Sequence, residues 1–201
     1  MTKYLSYIYR IAVCIILSVF IFTLSGCSID GVRTFVFSIA GRMPIRVEDH
    51  GMSPTIQNGD RVIMRKITNE LKHNDVILIN IPFEDLDNTL IITRIIGLPG
   101  DEVSIDLETG YITRNGNLLA HEIIDGHLYE DGHKISEPTF FIVLPKPGVT
   151  YSYTNPVIYI VPDNYLFVMG DNRNHSIDSR DERIGFINID DVIGIVDMNI
   201  E

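Results

Sequence analysis

Cysteine is nearly absent from this chain. The two present, Cys14 and Cys27, lie inside or at the end of an N-terminal apolar run, and none falls in the polar remainder. A disulfide framework is thereby excluded, and so is a cysteine-based zinc site. Cations are also in deficit: 16 Lys and Arg stand against 27 Asp and Glu, a formal net charge of -11. Affinity for nucleic acid rests on Lys and Arg neutralising phosphates, so no nucleic-acid partner is expected. No internal repeat, no low-complexity tract and, after residue 40, no long amphipathic helical pattern is visible. His121, His127 and His133 recur at a spacing unlike the usual ligand patterns, so neither a metal site nor a cofactor is expected.

What is present is ordinary for a folded domain. Of 201 residues, 45% are hydrophobic and 21% charged, which argues against wholesale disorder. The length suits one domain plus an anchor.

Residues 1–10 carry Lys3 and Arg10 and no acid, and residues 11–26 carry no charge at all. A membrane-spanning helix needs about 20 residues. The apolar stretch reaches that length if Tyr4, Tyr7 and Tyr9 sit at the interface, where aromatic rings are favoured. The basic flank predicts a cytoplasmic N-terminus. The expected organisation is residues 1–30 as N-terminus and single-pass anchor in the cytoplasmic membrane, and residues 31–201 as a domain outside it. Two alternatives stay open. A cleaved secretory signal peptide has the same basic start and apolar centre. The segment Leu24-Ser25-Gly26-Cys27 also resembles a lipobox, which would make Cys27 a lipidation site. All three place the globular part beyond the membrane.

Behind the anchor come short apolar stretches at 61–67, 75–81, 89–98, 102–107, 110–119, 139–144, 157–161, 165–170 and 191–196. They are rich in Val, Ile, Tyr and Phe, and several alternate apolar with polar, as half-buried strands do. Turn signals separate them: Asn58-Gly59-Asp60, Pro99-Gly100-Asp101, Asn115-Gly116 and Pro162-Asp163-Asn164. Asn115-Gly116 between two extended runs predicts a tight hairpin. The fold expected is mostly β, of many short strands. Residues 120–156 read as a solvated inserted lobe.

Three polar segments interrupt this pattern, in order: GMSPTIQNGDRVIM (51–64), TRIIGLPGDEV (93–103) and MGDNRNHSIDSR (169–180). Read alone, the first is a turn before a strand, the second a hairpin turn and the third a solvated loop. Together they resemble the three boxes of the type I signal peptidase family. Met52, Pro54, Thr55, Gly59 and Asp60 match the first box. Arg94 and the Gly-Leu-Pro-Gly-Asp run match the second. Ser176, Asp178 and Arg180 match the third. The stretches 32–37 and 185–194 also sit where the family puts similar sequence. The resemblance covers nearly the whole chain, most weakly over 120–156. It implies a β-barrel-like domain of short antiparallel strands behind one N-terminal transmembrane helix.

The resemblance also exposes a gap. In the family, the serine that begins the first box attacks the scissile carbonyl, and the lysine before the arginine of the second box accepts its proton. A serine hydroxyl needs an adjacent base, and a lysine serves only with its pKa lowered in apolar surroundings. Here those positions hold Gly51 and Thr93. Loss of the nucleophile in subtilisin costs on the order of 10⁶ in turnover. Two residues before Gly51, where relatives often supply a hydroxyl to the oxyanion, stands Asp49, an anion that opposes a developing negative charge. If residues 50–53 run as an extended strand, Ser53 shares a face with Gly51 about 6–7 Å away and His50 points opposite. Neither then stands in for the missing pair.

Ser176 matches the serine that orients the lysine in active relatives, and Asp178 and Arg180 match a pair that holds the site loop. The expectation is therefore a non-cleaving homologue that keeps a groove for an extended peptide. Non-cleaving relatives occur in Gram-positive bacteria, and some assist assembly of secreted or pilus-type surface proteins. The rival expectations are an active signal peptidase with displaced catalytic residues, and a lipoprotein or binding module that has left the family's function.

Overall fold

The computed structural model describes residues 41–83, 86–119, 121–124, 127–130, 132–135, 155–181 and 183–197. The expected anchor over residues 1–30, Cys27, and the apolar stretch 139–144 lie outside the described residues. Among the described residues, no helix is long and apolar enough to cross a membrane.

The described chain is built from antiparallel strands. A seven-stranded sheet contains β1 (Arg42–Arg46), β2 (Arg61–Arg65), β3 (Val76–Phe83), β4 (Leu86–Gly97), β12 (Tyr165–Met169), β13 (Ile187–Asn188) and β14 (Val192–Asp197). Its order is β1-β2-β14-β3-β4-β12-β13. A four-stranded sheet holds β5 (Glu102–Ile105), β6 (Ile112–Arg114), β7 (Asn117–Leu118) and β11 (Val157–Ile160), in the order β11-β5-β6-β7. A three-stranded sheet holds β8 (His121–Ile124), β9 (His127–Glu130) and β10 (His133–Lys134), in the order β10-β9-β8. The only regular helical piece among the described residues is one 3-10 turn, Ile189–Asp191.

The central strands β4 and β12 read as continuous apolar runs because both of their faces are covered. Ile95, Leu166 and Val168 pack with Ile77, Ile79, Ile81, Ile187, Val192 and Ile195. Their strand neighbours Ile96, Phe167 and Met169 pack on another cluster with Val103, Ile105, Ile112, Leu119 and Val161. Successive side chains of a strand point to opposite faces, so one strand can feed two cores. Full burial of an Ile or Val contributes about 1.5–3 kcal/mol. These two strands therefore hold rigidly whatever polar groups they carry in their middle.

Most of the expected strands are present. The Asn115-Gly116 hairpin forms with both residues at positive φ, 52° and 74°, as a tight mirror-image turn requires. Strand β1 carried no clear sequence signal because Pro44 interrupts it, and it lies at a sheet edge, where proline is tolerated. The described part of 120–156 includes β8, β9 and β10. It forms the three-stranded sheet, and Glu130 and Ile135 are buried.

Candidate functional site

The site grows from the three polar segments. Residues 47–60 form a closed loop at the base of β2. Val47 N–H donates to the Asp60 carbonyl and Gly59 N–H to the Val47 carbonyl, each at 2.9 Å. Met52 and Ile56 are fully buried and anchor the loop. Between them the chain turns: Ser53 N–H donates to the His50 carbonyl, and the Thr55 and Ile56 N–H groups donate to the Met52 carbonyl. The Ser53-Pro54 peptide is cis. An extended strand over 50–53 is therefore not formed, and the strand-face argument about Ser53 and His50 does not apply. Local hydrogen bonds around Pro54 replace the ladder that a strand would need.

The second segment lies in β4 and the turn after it. Thr93 pairs across to Ile77 of β3, and Arg94 pairs with both Val76 of β3 and Met169 of β12. By the two-residue period of a strand, Thr93 shares its face with Ile91 and Ile95. It is 1% exposed, and its hydroxyl has no hydrogen-bond partner among the described residues. Arg94, 2% exposed, points the other way. Its guanidinium grips the Asp171 carboxylate with two bonds, Nε to Oδ1 at 2.8 Å and Nη2 to Oδ2 at 2.6 Å, and Nη1 donates to the Asn74 carbonyl. After β4, Asp101 closes its own turn by accepting the Leu98 N–H. It also accepts from Asn115 Nδ2 and contacts His73 Nε2 at 2.6 Å. Burial pushes the Asp101 carboxyl up, but these three partners outweigh it and hold the group below the usual carboxylate range.

The third segment is tied at nearly every residue. Asp178 accepts the Gly170 N–H and is gripped by Arg180 through Nε and Nη2, both at 2.7 Å. Ser179 exchanges bonds with Val168, its Oγ accepting and its N–H donating. Asn172 clamps the first segment: its N–H donates to the Gly51 carbonyl at 3.0 Å and its Nδ2 to the His50 carbonyl at 2.9 Å. This approach is possible only beside a glycine. A Cβ on Gly170 would overlap both Ser176 Oγ and the Gly51 carbonyl oxygen.

Gly51 and Ser176 are thus brought together. A Cβ built on Gly51 would sit 3.7 Å from Ser176 Oγ and 3.3 Å from Asp49 Oδ1. Asp49 already uses that oxygen to accept the Gly51 N–H, at 2.8 Å. Position 51 is therefore flanked by a carboxylate and a hydroxyl, and no side chain occupies it. Thr93 is placed by β4 one residue from the Arg94–Met169 pair, at the end of β12 that leads into Gly170.

Two ties were not legible beforehand. Arg173 and Glu130 form a buried ion pair, and Thr55 Oγ1 donates to the Lys134 carbonyl at 2.9 Å. They fasten the three-stranded sheet to the third and first segments. Arg173 lay inside a quoted motif, whereas Glu130 and Lys134 belong to a stretch without any recognisable pattern. Among the described residues, no group of three His, Cys, Asp or Glu side chains is arranged to hold a metal ion.

The model of the family described as signal peptidase, peptidase S26, matches residues 4–200. Signal peptidase I T of Bacillus subtilis (strain 168) is 32% identical over 167 residues, covering 81% of this chain and 73% of that protein. Signal peptidase I S of the same organism is 31% identical, covering 74% and 69%. Signal peptidase I P of Bacillus subtilis subsp. natto is 29% identical, covering 83% and 78%. Among solved structures, a signal peptidase I from Enterococcus faecalis V583 aligns at 23% identity with a TM-score of 0.41, covering 63% of this chain and 97% of that one.

Proposed function

Because the chain belongs to the signal peptidase, peptidase S26, family, we propose that it is a membrane-anchored, non-cleaving member that binds an extended segment of an exported protein and releases it intact. Gly51 carries this reading. Glycine offers no atom that can attack a carbonyl, and it stands where relatives place the attacking serine. Thr93 stands where they place the base, and its buried neutral hydroxyl accepts no proton near neutral pH. The surrounding scaffold favours retained binding over a decayed site. Arg94–Asp171, Asp178–Arg180 and the Asn172 clamp on Gly51 are all formed. Buried ion pairs cost several kcal/mol when one partner is lost. A loop that keeps them keeps its shape.

The basic and apolar N-terminus supports a single-pass anchor with the β domain outside the cytoplasmic membrane. The partner is an exported protein, and pilus-type surface proteins fit the role of an assembly factor. The test is direct. The full chain, in detergent or membranes, is incubated with a signal-peptide-bearing precursor. The expected outcome is no trimming above background, with precursor retained in a co-purifying complex. Cleavage at the signal junction that disappears in Ser53→Ala would overturn the reading and establish a displaced nucleophile.

A further inference from the structure

The vacated position 51 has a chemical character of its own. Asp49 is exposed, and it accepts the Gly51 amide through Oδ1. That bond fixes the carboxylate's orientation. Its other oxygen accepts no hydrogen bond among the described residues, and neither does the half-buried Ser176 hydroxyl across the gap engage in one. The space between them is the volume a side chain at 51 would fill, 3.3 Å from Asp49 Oδ1 and 3.7 Å from Ser176 Oγ.

The charge balance around this gap is one-sided. The buried carboxylates in and against the neighbouring loop each have a guanidinium: Asp171 has Arg94, Asp178 has Arg180, and Glu130 of β9 has Arg173. Asp49 has no cationic partner among the described residues. The only other candidate cation in the second segment's strand, Arg94, is already spent in its two-pronged bond. Nothing at position 93 supplies a positive charge, because Thr93 is neutral.

We propose that this gap is a subsite for a primary ammonium, the side-chain head of a lysine in the bound extended peptide. The ammonium would donate to the Asp49 carboxylate and to Ser176 Oγ, and its third proton would remain free for solvent or for the peptide itself. Three donors on a compact cation suit two acceptors a few ångströms apart better than a planar guanidinium does. A thin alkyl stem enters where a side chain is missing. The subsite rests on the peptide-binding reading above and gives it a chemical preference: a cation at the place where cleaving relatives keep their reacting groups.

The test uses the full chain in detergent and a series of extended, alanine-rich fluorescent peptides. A single lysine is walked along them, each paired with its glutamine counterpart, and binding is read by anisotropy. The expected result is one register at which lysine binds about fivefold tighter than glutamine, the factor of a partly exposed ion pair. Asp49→Asn abolishes that preference while keeping an acceptor for the Gly51 amide. The preference also shrinks as salt rises. If lysine and glutamine peptides bind alike at every register, or if Asp49→Asn keeps the preference, the ammonium subsite is overturned and the groove stands. If no peptide binds, both fall.

Discussion

Asp49 folds its carboxylate back onto the chain and accepts the backbone N–H of Gly51, at 2.8 Å. In serine proteases the amide of the nucleophile residue is one of the donors aimed at the developing oxyanion. Losing one oxyanion donor costs about 10²–10³ in kcat. Restoring the reacting pair alone is therefore not enough. Gly51→Ser with Thr93→Lys should cleave a precursor about 10²-fold more slowly than the same pair combined with Asp49→Ser. The serine itself has room, because its Cβ meets only the end of an exposed side chain and a hydroxyl. Equal rates for the two variants would mean that the carboxylate leaves the amide when a substrate arrives.

Thr93 gives a prediction about stability. Its hydroxyl is buried without a partner among the described residues, on the strand face it shares with Ile91 and Ile95. An unsatisfied buried polar group costs about 1–3 kcal/mol, and an apolar group of the same shape removes that cost. Thr93→Val should therefore stabilise the fold by about 1 kcal/mol, read as a higher urea midpoint. Destabilisation of similar size would show that the hydroxyl is satisfied in solution. Thr93→Lys alone should do the reverse. Burial disfavours an ammonium, so its folded pKa falls below the unfolded value of about 10.4. Stability then is lowest below that folded pKa and recovers as pH rises from it to about 10.4.

The fold was largely readable because its main strands carry their burial in their sequence. Residues 165–170 and 89–98 read as apolar runs, and they became β12 and β4, covered on both faces. The candidate site was readable only in part. Short motifs located Gly51, Thr93 and Ser176 but could not say how the first of them turns. The turn at 50–56 depends on carbonyls of His50 and Met52 accepting from residues nearby, which an alternation pattern does not encode. The link from Glu130 to Arg173 depends on two short strands of a sheet whose sequence alternates His, Glu and Ile without a clear apolar face.

Arg94 and Asp171 form the best-buried ion pair of the site, with side-chain exposures of 2% and 0%. Removing one member leaves the buried charge of the other without its counter-charge, at a cost of about 3–5 kcal/mol. Asp171→Asn and Arg94→Met should each lower the unfolding midpoint strongly. The double variant should be more stable than the sum of the two losses implies. Arg94→Lys should not rescue the site, because a single ammonium cannot make the two-pronged contact and also reach the Asn74 carbonyl. Strict additivity in the cycle would refute the coupling.

The turn at Asp101 sets an acid limit. Its carboxyl lies below the ordinary range because His73, the Leu98 N–H and Asn115 together outweigh the effect of burial. The unfolded chain has a carboxyl near about 3.9 and so binds more protons than the folded chain once pH approaches that value. The sign follows: this group's contribution is fully present above about 3.9 and is lost as pH falls through the lower, folded value. Asp101→Asn should therefore lower the urea midpoint at neutral pH and flatten its decline between about pH 4 and pH 2. His73→Gln keeps a hydrogen-bond donor but removes the charge that a protonated imidazole adds in acid. The carboxyl should then protonate at higher pH, and the decline should start earlier. Superimposable midpoint-versus-pH curves for wild type and His73→Gln would show that the 2.6 Å contact adds nothing beyond the turn's own Leu98 and Asn115 bonds.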